Sequence, residues 1–261
     1  MSAFDLEQGK LSIRISESVY CQILADVEDF NFRKTNGEKN LNAFMNQLLP
    51  NLILYRIKKR KSLRSYLEKY YSHCIIEQYK EKVFNDMDDL FDKNYFDDIL
   101  ECYHERRLHF RLNKSNIIKL QDFFNELTLL NENKTTYLRN LLNEYADMRK
   151  DKREEVCFQE ELDNIELAIQ NKVSIYCYFQ DQYVSLVPID LILSYKDNSI
   201  YLIALDPHNL NRGEVMRFSL LKNISIKNNS YPIDQNAYKK ISQLFDNIDC
   251  STLKTFDLNI Y

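Results

Sequence analysis

The stretch Lys10-Leu-Ser-Ile-Arg-Ile-Ser16 recurs later in the chain as Arg107-Leu-His-Phe-Arg-Leu-Asn113. Apolar and polar residues alternate in both copies, which is typical of a β-strand that buries one face. The alternation predicts a buried face formed by Leu11, Ile13, Ile15, Leu108, Phe110 and Leu112. It predicts an exposed face formed by Lys10, Ser12, Arg14, Arg107, His109 and Arg111.

Two amphipathic helices are predicted after each strand, with a polar loop between them. Ser16 and Asn113 end the strands, and their side chains can cap the backbone N–H groups of a following helix. Apolar residues then recur at helical spacing: Val19, Ile23, Val27, Leu41, Phe44, Leu48 and Leu52 in the first copy, and Ile117, Leu120, Phe124, Leu127, Leu138, Leu141, Leu142 and Tyr145 in the second. Pro50 lies inside the second helix of the first copy, where we expect it to kink or shorten that helix.

This order of strand, helix, polar loop and helix resembles the ribbon-helix-helix family. Units of that family pair strand to strand as dimers and lay the two-stranded ribbon in a DNA major groove. A single strand would leave its edges and its apolar face unsatisfied, so we expect the two copies to pair as an intramolecular pseudo-dimer. The exposed face of the paired strands is the predicted nucleic-acid-binding ribbon, and the alternative is a solvated strand face.

The fold prediction is α+β, with six segments. They are a first ribbon-helix-helix unit (1–61), a helical hairpin insertion (62–106), a second ribbon-helix-helix unit (107–150), a connecting helix (151–172), a small β-barrel (173–228), and a C-terminal helix and tail (229–261). The hairpin insertion is rich in acids, which we interpret as a solvated face that points away from nucleic acid. Within the barrel, β-branched and aromatic runs predict strands at 173–179, 183–193, 199–206, 215–219 and 224–227.

The C-terminal third resembles the WYL family in the order and spacing of its short motifs. The residues that carry the likeness are the stretch Ala168-Ile-Gln-Asn-Lys-Val-Ser-Ile-Tyr-Cys-Tyr178, then Val187-Pro-Ile-Asp-Leu191, Ile200-Tyr-Leu-Ile-Ala204 and Met216-Arg-Phe-Ser-Leu220. The family's Trp-Tyr-Leu tripeptide corresponds to Ile200-Tyr201-Leu202 here, with isoleucine in place of tryptophan. WYL domains are Sm-like barrels that bind nucleic acids or nucleotide-like ligands, so the resemblance implies that Tyr178, Tyr201 and Arg217 contact a ligand. The alternative for the two tyrosines is a packing role inside the barrel.

Taken together, the layout resembles the WYL accessory proteins of type VI-D CRISPR-Cas systems. Those proteins bind RNA and modulate an RNA-guided nuclease, so the resemblance implies a non-enzymatic regulator that binds single-stranded RNA and has a CRISPR effector protein as partner. Two alternatives stay open. One is a DNA-binding transcriptional regulator with a WYL ligand-sensing domain, and the other is a protein-interaction adaptor or antitoxin.

Composition excludes several functions. Only three glycines occur, and no two of them share a loop, which excludes glycine-rich phosphate-binding loops. The four histidines form no HExxH motif and the six cysteines form no CxxC pair, so we predict no catalytic site, no metal site and no cofactor. No apolar run is long enough for a membrane span, and the chain starts without a signal-peptide pattern, so we expect a cytoplasmic protein. The sequence leaves open the choice of RNA or DNA, including duplex DNA, and whether the chain forms a homo-oligomer.

Overall fold

A computed structural model describes residues 4–5, 9–71, 79, 82–83, 86, 105–129, 133–231 and 255–257. Over these residues the chain is a mixed α+β protein, which confirms the predicted class. It divides into two compact units, Met1–Asp147 and Met148–Tyr261. None of the helices in the described ranges is both long and apolar enough to cross a membrane. Most of the predicted hairpin insertion and the helix predicted in the C-terminal tail lie outside the described residues.

The described part of the first unit includes a small antiparallel sheet and four helices. These elements are β1 (Phe4–Asp5), β2 (Lys10–Ser16), α1 (Glu17–Asp29), α2 (Leu41–Tyr71), β3 (Glu105–Arg111), α3 (Lys114–Leu129) and α4 (Lys134–Asp147). The strand order is β1-β2-β3, so the two repeated strands are direct neighbours.

The two repeated strands pair antiparallel around equivalent positions of the repeat. Ser12 lies opposite His109, and each is the third residue of its copy. The copies are therefore related by a local twofold axis that passes between these two residues. All six residues that the alternation assigns to the inner face are buried: Leu11, Ile13, Ile15, Leu108, Phe110 and Leu112.

Both predicted helix caps are present. The Ser16 hydroxyl accepts a hydrogen bond from the Val19 backbone N–H at 3.3 Å, and the Asn113 side chain accepts one from Asn116 at 2.8 Å. Gly9 starts the first strand with a φ of +66°, and a Cβ there would lie 2.7 Å from the Leu112 carbonyl oxygen. Glycine is therefore required where the first strand begins.

The second helix of each copy packs on the other copy. α2 contacts β3 and α3, whereas α4 contacts β2 and α1. A buried hydrogen bond ties α4 to α1, because the Tyr145 hydroxyl donates to the Asp26 carboxylate at 2.7 Å. The two copies therefore form one intertwined core, and neither copy encloses its own apolar residues.

Helix α2 continues through Pro50 instead of ending near it, and it also continues across the predicted boundary at residue 61. Proline has no backbone N–H, so Pro50 cannot bond the carbonyl of Asn46 one turn earlier. The buried side chain of Asn116 on α3 donates to that carbonyl at 2.7 Å. A side chain from the other copy thus replaces the hydrogen bond that proline removes, and the helix persists.

Replacing Asn116 by alanine is expected to destabilise the first unit by about 1–3 kcal/mol, because the Asn46 carbonyl would lose its partner. In a Pro50→Ala background the cost is expected to be smaller, because the substituted alanine can supply the missing backbone N–H. Urea unfolding of the two single variants and the double variant measures this coupling. Asn125→Ala, an exposed substitution on the same helix, is the control and is expected to change stability by less than about 0.5 kcal/mol. Equal costs of Asn116→Ala in both backgrounds would contradict the explanation.

The described part of the second unit contains two helices and a curled antiparallel sheet, a half-barrel. The elements are α5 (Lys150–Cys157), α6 (Gln159–Asn171), β4 (Val173–Phe179), β5 (Gln182–Ser194), β6 (Ser199–Asp206), β7 (Asn209–Arg217), a 3-10 turn (Phe218–Leu220), β8 (Lys222–Ser230) and β9 (Thr255–Asp257). The strand order is β8-β4-β5-β6-β7-β9. Strands are present at all five predicted places, but the fourth, predicted at 215–219, spans Asn209–Arg217, because Phe218–Leu220 form the 3-10 turn. A strand from the C-terminal tail adds a sixth next to β7.

Both helices of this unit pack against its sheet. The predicted connecting helix is divided at Phe158, and α6 packs against β4, β5 and β8 while α5 packs against β6. Lys172 ends α6 in the left-handed conformation with a φ of 52°. Side chains of β5, β6 and β7 form an apolar cluster: Val187, Ile189, Tyr201, Ile203, Leu205 and Val215.

Candidate nucleic-acid interface

The exposed face of the β2–β3 ribbon carries cations at directly opposed positions. Lys10 lies opposite Arg111, and Arg14 lies opposite Arg107. All four side chains are exposed, as is that of His109 between them. All six predicted ribbon residues therefore share one face of one strand pair, with Ser12 half-buried at its centre.

Like charges directly opposite each other destabilise an antiparallel pair. One ion pair offsets part of this repulsion, because the Arg14 guanidinium lies 3.8 Å from the Glu105 carboxylate. Both members of that pair are exposed, so its contribution to stability is small. An anion bound over this exposed face would relieve the remaining repulsion, and a phosphate backbone carries several such charges in a row.

The main chain under these arginines is held by the helices. Asn46 on α2 donates to the Arg111 carbonyl at 2.8 Å, and Asn42 accepts from the Arg111 backbone N–H at 3.0 Å. On the other side, the Arg139 guanidinium on α4 donates to the Arg14 carbonyl at 2.7 Å. Each second helix therefore supports the arginine at the far end of the other copy's strand. These main-chain bonds therefore help to fix the position of the ribbon face.

Arg106 is an exception to the alternation of its strand. Its position opposite Ile15 belongs to the inner face, yet its side chain is exposed. The guanidinium donates twice to one carboxylate oxygen of Glu17, at 2.9 and 3.3 Å, and this hydrogen bond raises the pKa of Arg106. The Arg106 side chain is therefore paired with Glu17 at the end of the ribbon. The alternation of buried and exposed side chains holds for the central residues.

Tyr201, a predicted ligand residue of the second unit, is a core residue in this structure. Its side chain is only 8% exposed and belongs to the apolar cluster of the sheet. Its hydroxyl donates to the Asp197 carboxylate at 2.9 Å, and burial, together with this bond, raises its pKa. The geometry favours the packing alternative for the ring, and its contact with a ligand stays a prediction.

Arg217 on β7 lies opposite Tyr201 on β6. One edge of its guanidinium group is buried and makes no hydrogen bond to the described residues. Its Nε and Nη2 atoms are buried and have no hydrogen-bond partner among the described residues. These two N–H groups form the edge that binds a carboxylate or a phosphate in bidentate fashion. A buried donor without a partner costs free energy, so this edge is suited to an anionic ligand.

Glu154 is a site residue that sequence reasoning missed. Its carboxylate is fully buried, and it accepts hydrogen bonds from the backbone N–H groups of Ile200 at 2.8 Å and Ser219 at 3.1 Å. Burial raises the pKa of Glu154, while these bonds and the charge of Arg217 act in the opposite direction. The residue follows a run of basic residues on α5, and no local pattern in the sequence distinguishes it from a surface acid.

The third predicted ligand residue of this unit, Tyr178, is half-buried near the β4–β5 turn. Its hydroxyl lies 3.5 Å from the Asp181 carboxylate, and its ring packs edge-on against Tyr183 with a centroid distance of 5.1 Å. Tyr178 is on β4 and Arg217 is on β7, with two strands between them in the sheet. The structure therefore brings Tyr201 and Arg217 together and leaves Tyr178 in a separate cluster.

Among the residues that the structure describes, no group of three or more histidine, cysteine and acidic side chains is arranged to hold a metal ion. Of the polar groups identified above, the cations of the ribbon face and the Arg217 edge are suited to anion binding.

Comparison with known proteins adds a similarity of fold. No protein-family model matches the chain, and no curated protein sequence matches it. A solved structure with the description "Crystal structure of a CRISPR Cas-related protein" is similar over 88% of this chain, with a TM-score of 0.62 and 17% sequence identity. The chain spans 65% of that protein's length. At this level of identity, the likeness shows that the two proteins share a fold.

Proposed function

We propose that this chain is a non-enzymatic regulator that binds nucleic acid. The observation that carries the proposal is the ribbon face, where two cross-strand pairs of cations flank the Ser12–His109 pair on an exposed two-stranded surface. Such a surface is complementary to a phosphate backbone. Because the overall net charge is −4, a nucleic acid has to contact a local group of cations, and the ribbon face is such a group.

The first unit is proposed to be a ribbon-helix-helix pseudo-dimer. The antiparallel pairing of repeated strands and the exchange of second helices between copies support this assignment. A major groove admits a two-stranded β-ribbon, so duplex DNA is a candidate ligand for this face. For that reason a DNA-binding transcriptional regulator is the second candidate function.

The second unit is proposed to be a WYL domain that binds a single strand or a nucleotide-like ligand. Its support is the buried guanidinium edge of Arg217, which is placed on the strand where the WYL resemblance predicts a ligand contact. A phosphate is the ligand group that this edge fits.

The proposed cellular role is that of a WYL accessory protein that modulates an RNA-guided CRISPR nuclease. The order of the two units supports this role, as does the fold likeness to a protein described as CRISPR Cas-related. Under this proposal single-stranded RNA is the preferred ligand, and a CRISPR effector protein is the partner.

Replacing Arg14 and Arg111 together by alanine is expected to weaken nucleic-acid binding while leaving folding intact, because their main-chain hydrogen bonds remain. If both contact phosphates, the slope of log K against log salt decreases by about 1 for each lost contact, whatever the sequence of the ligand. If they contact guanines, the slope is retained and discrimination falls by about 1–3 kcal/mol at the contacted base pair. Titrations with single-stranded RNA, single-stranded DNA and duplex DNA measure both effects.

The matched control is Arg33→Ala with Lys34→Ala, which removes the same charge from an exposed loop of the same unit. The control is expected to retain the wild-type affinity and slope. Preference of the wild-type protein for single-stranded RNA supports the accessory role, and preference for duplex DNA supports the transcriptional regulator. If the Arg14 and Arg111 variant matches the wild-type protein in affinity, slope and specificity, the ribbon is not the binding surface.

A further inference from the structure

A cluster of three tyrosines lies at the β4–β5 hairpin of the second unit. Gln180 and Asp181 form the turn, with φ values of 48° and 63°, and this turn places Tyr178 directly opposite Tyr183. The rings of Tyr176 and Tyr183 are stacked, with a centroid distance of 5.1 Å and an interplanar angle of 9°. The hairpin therefore holds two parallel aromatic rings on the same face of the sheet.

A lysine from the neighbouring strand completes the arrangement. The Lys227 Nζ atom lies 4.3 Å from the centroid of the Tyr176 ring, which is the geometry of a cation–π contact. Lys227 belongs to β8, the end strand of the sheet next to β4. We call Lys227, Tyr176 and Tyr183 the tyrosine stack.

The outer ring of the tyrosine stack is exposed to solvent. Tyr183 is 54% exposed although it contacts both other tyrosines. Large aromatic rings in solvent lose the favourable burial that aromatic side chains normally obtain. A flat apolar ligand that extends the stack by one layer would cover this ring.

An unpaired nucleobase fits this surface better than other flat groups. Base stacking on aromatic side chains is tolerant of sequence and operates together with positive charge that follows the phosphate backbone. Lys227 supplies positive charge beside the rings, whereas the acid at the hairpin, Asp181, is bound to the Tyr178 hydroxyl. A duplex offers no unpaired base, so the ligand is single-stranded.

We propose that the tyrosine stack binds one unpaired base of a single-stranded nucleic acid, with Tyr183 as the contacting ring. The site is distinct from the Arg217 edge, because β6 separates β5 from β7 in the sheet. The inference rests on the proposed nucleic-acid binding and adds to it a second contact and its ligand group.

The test compares Tyr183→Ala, Tyr183→Phe and Tyr195→Ala in the full chain. Tyr195 is a matched control, since it is an exposed tyrosine of the same unit, with 86% of its side chain accessible. The probes are short single-stranded RNA and DNA oligomers that contain one 2-aminopurine, a base whose fluorescence is quenched when it stacks. Tyr183→Ala is expected to weaken binding by about 5- to 150-fold and to abolish the quenching. Tyr183→Phe and Tyr195→Ala are expected to retain both.

The outcomes separate this inference from the proposed function. If the wild-type protein binds the oligomers and Tyr183→Ala binds them equally well with the same quenching, the tyrosine stack is not a base site and nucleic-acid binding stands. If the wild-type protein binds no nucleic acid, the proposed function fails and the inference fails with it. A loss with Tyr183→Phe as large as with Tyr183→Ala would assign the effect to the hydroxyl and overturn stacking. Capture of a proline-rich peptide by the stack, with RNA binding unaffected by Tyr183→Ala, would overturn it in favour of a peptide surface.

Discussion

Residues 1–71, produced without the rest of the chain, are expected to show no cooperative unfolding transition as a monomer. This segment ends with helix α2, and it contains the whole first copy of the repeat. Its strand buries Leu11, Ile13 and Ile15 under helices of both copies, and α2 packs on β3 and α3, which the fragment lacks. The buried carboxylate of Asp26 would also lose the hydroxyl of Tyr145. An isolated strand with an uncovered apolar face is not stable in water.

The controls for this experiment are residues 1–147 and an equimolar mixture of 1–71 with 105–147. The first is expected to unfold cooperatively, and the mixture is expected to recover helical circular dichroism because each fragment supplies the surface that the other lacks. The fragment alone is expected to be unfolded or self-associated, with a signal that depends on concentration. A monomeric 1–71 with a transition that is independent of concentration would contradict the intertwined core.

Replacing Glu154 is expected to destabilise the second unit strongly. Alanine would leave the buried N–H groups of Ile200 and Ser219 without partners, at a cost of about 1–3 kcal/mol each. Glutamine retains one acceptor oxygen but turns its amide N–H₂ toward the other donor, so about half of that loss is expected. Glu160→Gln, an exposed substitution on α6, is the control. Urea unfolding followed by circular dichroism measures all three.

The effect of replacing Glu154 on folding stability is also expected to depend on pH. Burial raises the pKa of Glu154 above its ordinary value of 4.5, so the folded state holds this proton more tightly than the unfolded state. Its contribution to stability is therefore complete below that ordinary value and is lost as the pH rises through the folded-state pKa. The stability of the wild-type protein relative to Glu154→Gln is expected to fall over this window and then become constant. A difference that rises with pH would mean that the hydrogen bonds outweigh burial.

The strands of the repeat could be predicted because their signal is local. Alternation within one heptapeptide predicts which face is buried, and the burial of Leu11 and Phe110 agrees with that local pattern. The continuation of α2 through Pro50 could not be predicted in the same way. It depends on Asn116, which is far away in sequence, and a rule about proline within a helix contains no information about that donor.

The candidate sites also include features that a local sequence pattern predicts and features that depend on residues far away in sequence. The ribbon face could be read from sequence because exposed positions of two neighbouring strands share a face by geometry alone. The burial of Tyr201 depends on how the sheet curls, and tyrosine is equally suited to a core or to a ligand surface. Glu154 carries no local signal, since its partners come from strand β6 and from the turn after β7. The tyrosine stack likewise needs a lysine from β8, which is remote from the hairpin in sequence.

The local twofold axis between Ser12 and His109 relates side chains that are chemically different. In a dimer of identical subunits, the two halves of the ribbon carry the same residues, and the preferred DNA sites are palindromic as a result. Here both halves are encoded separately, so lysine on one strand corresponds to arginine on the other, and serine corresponds to histidine. Under the proposed function, palindromy is therefore not imposed on the ligand of this face, and a strand bound there would meet different side chains at its 5′ and 3′ ends.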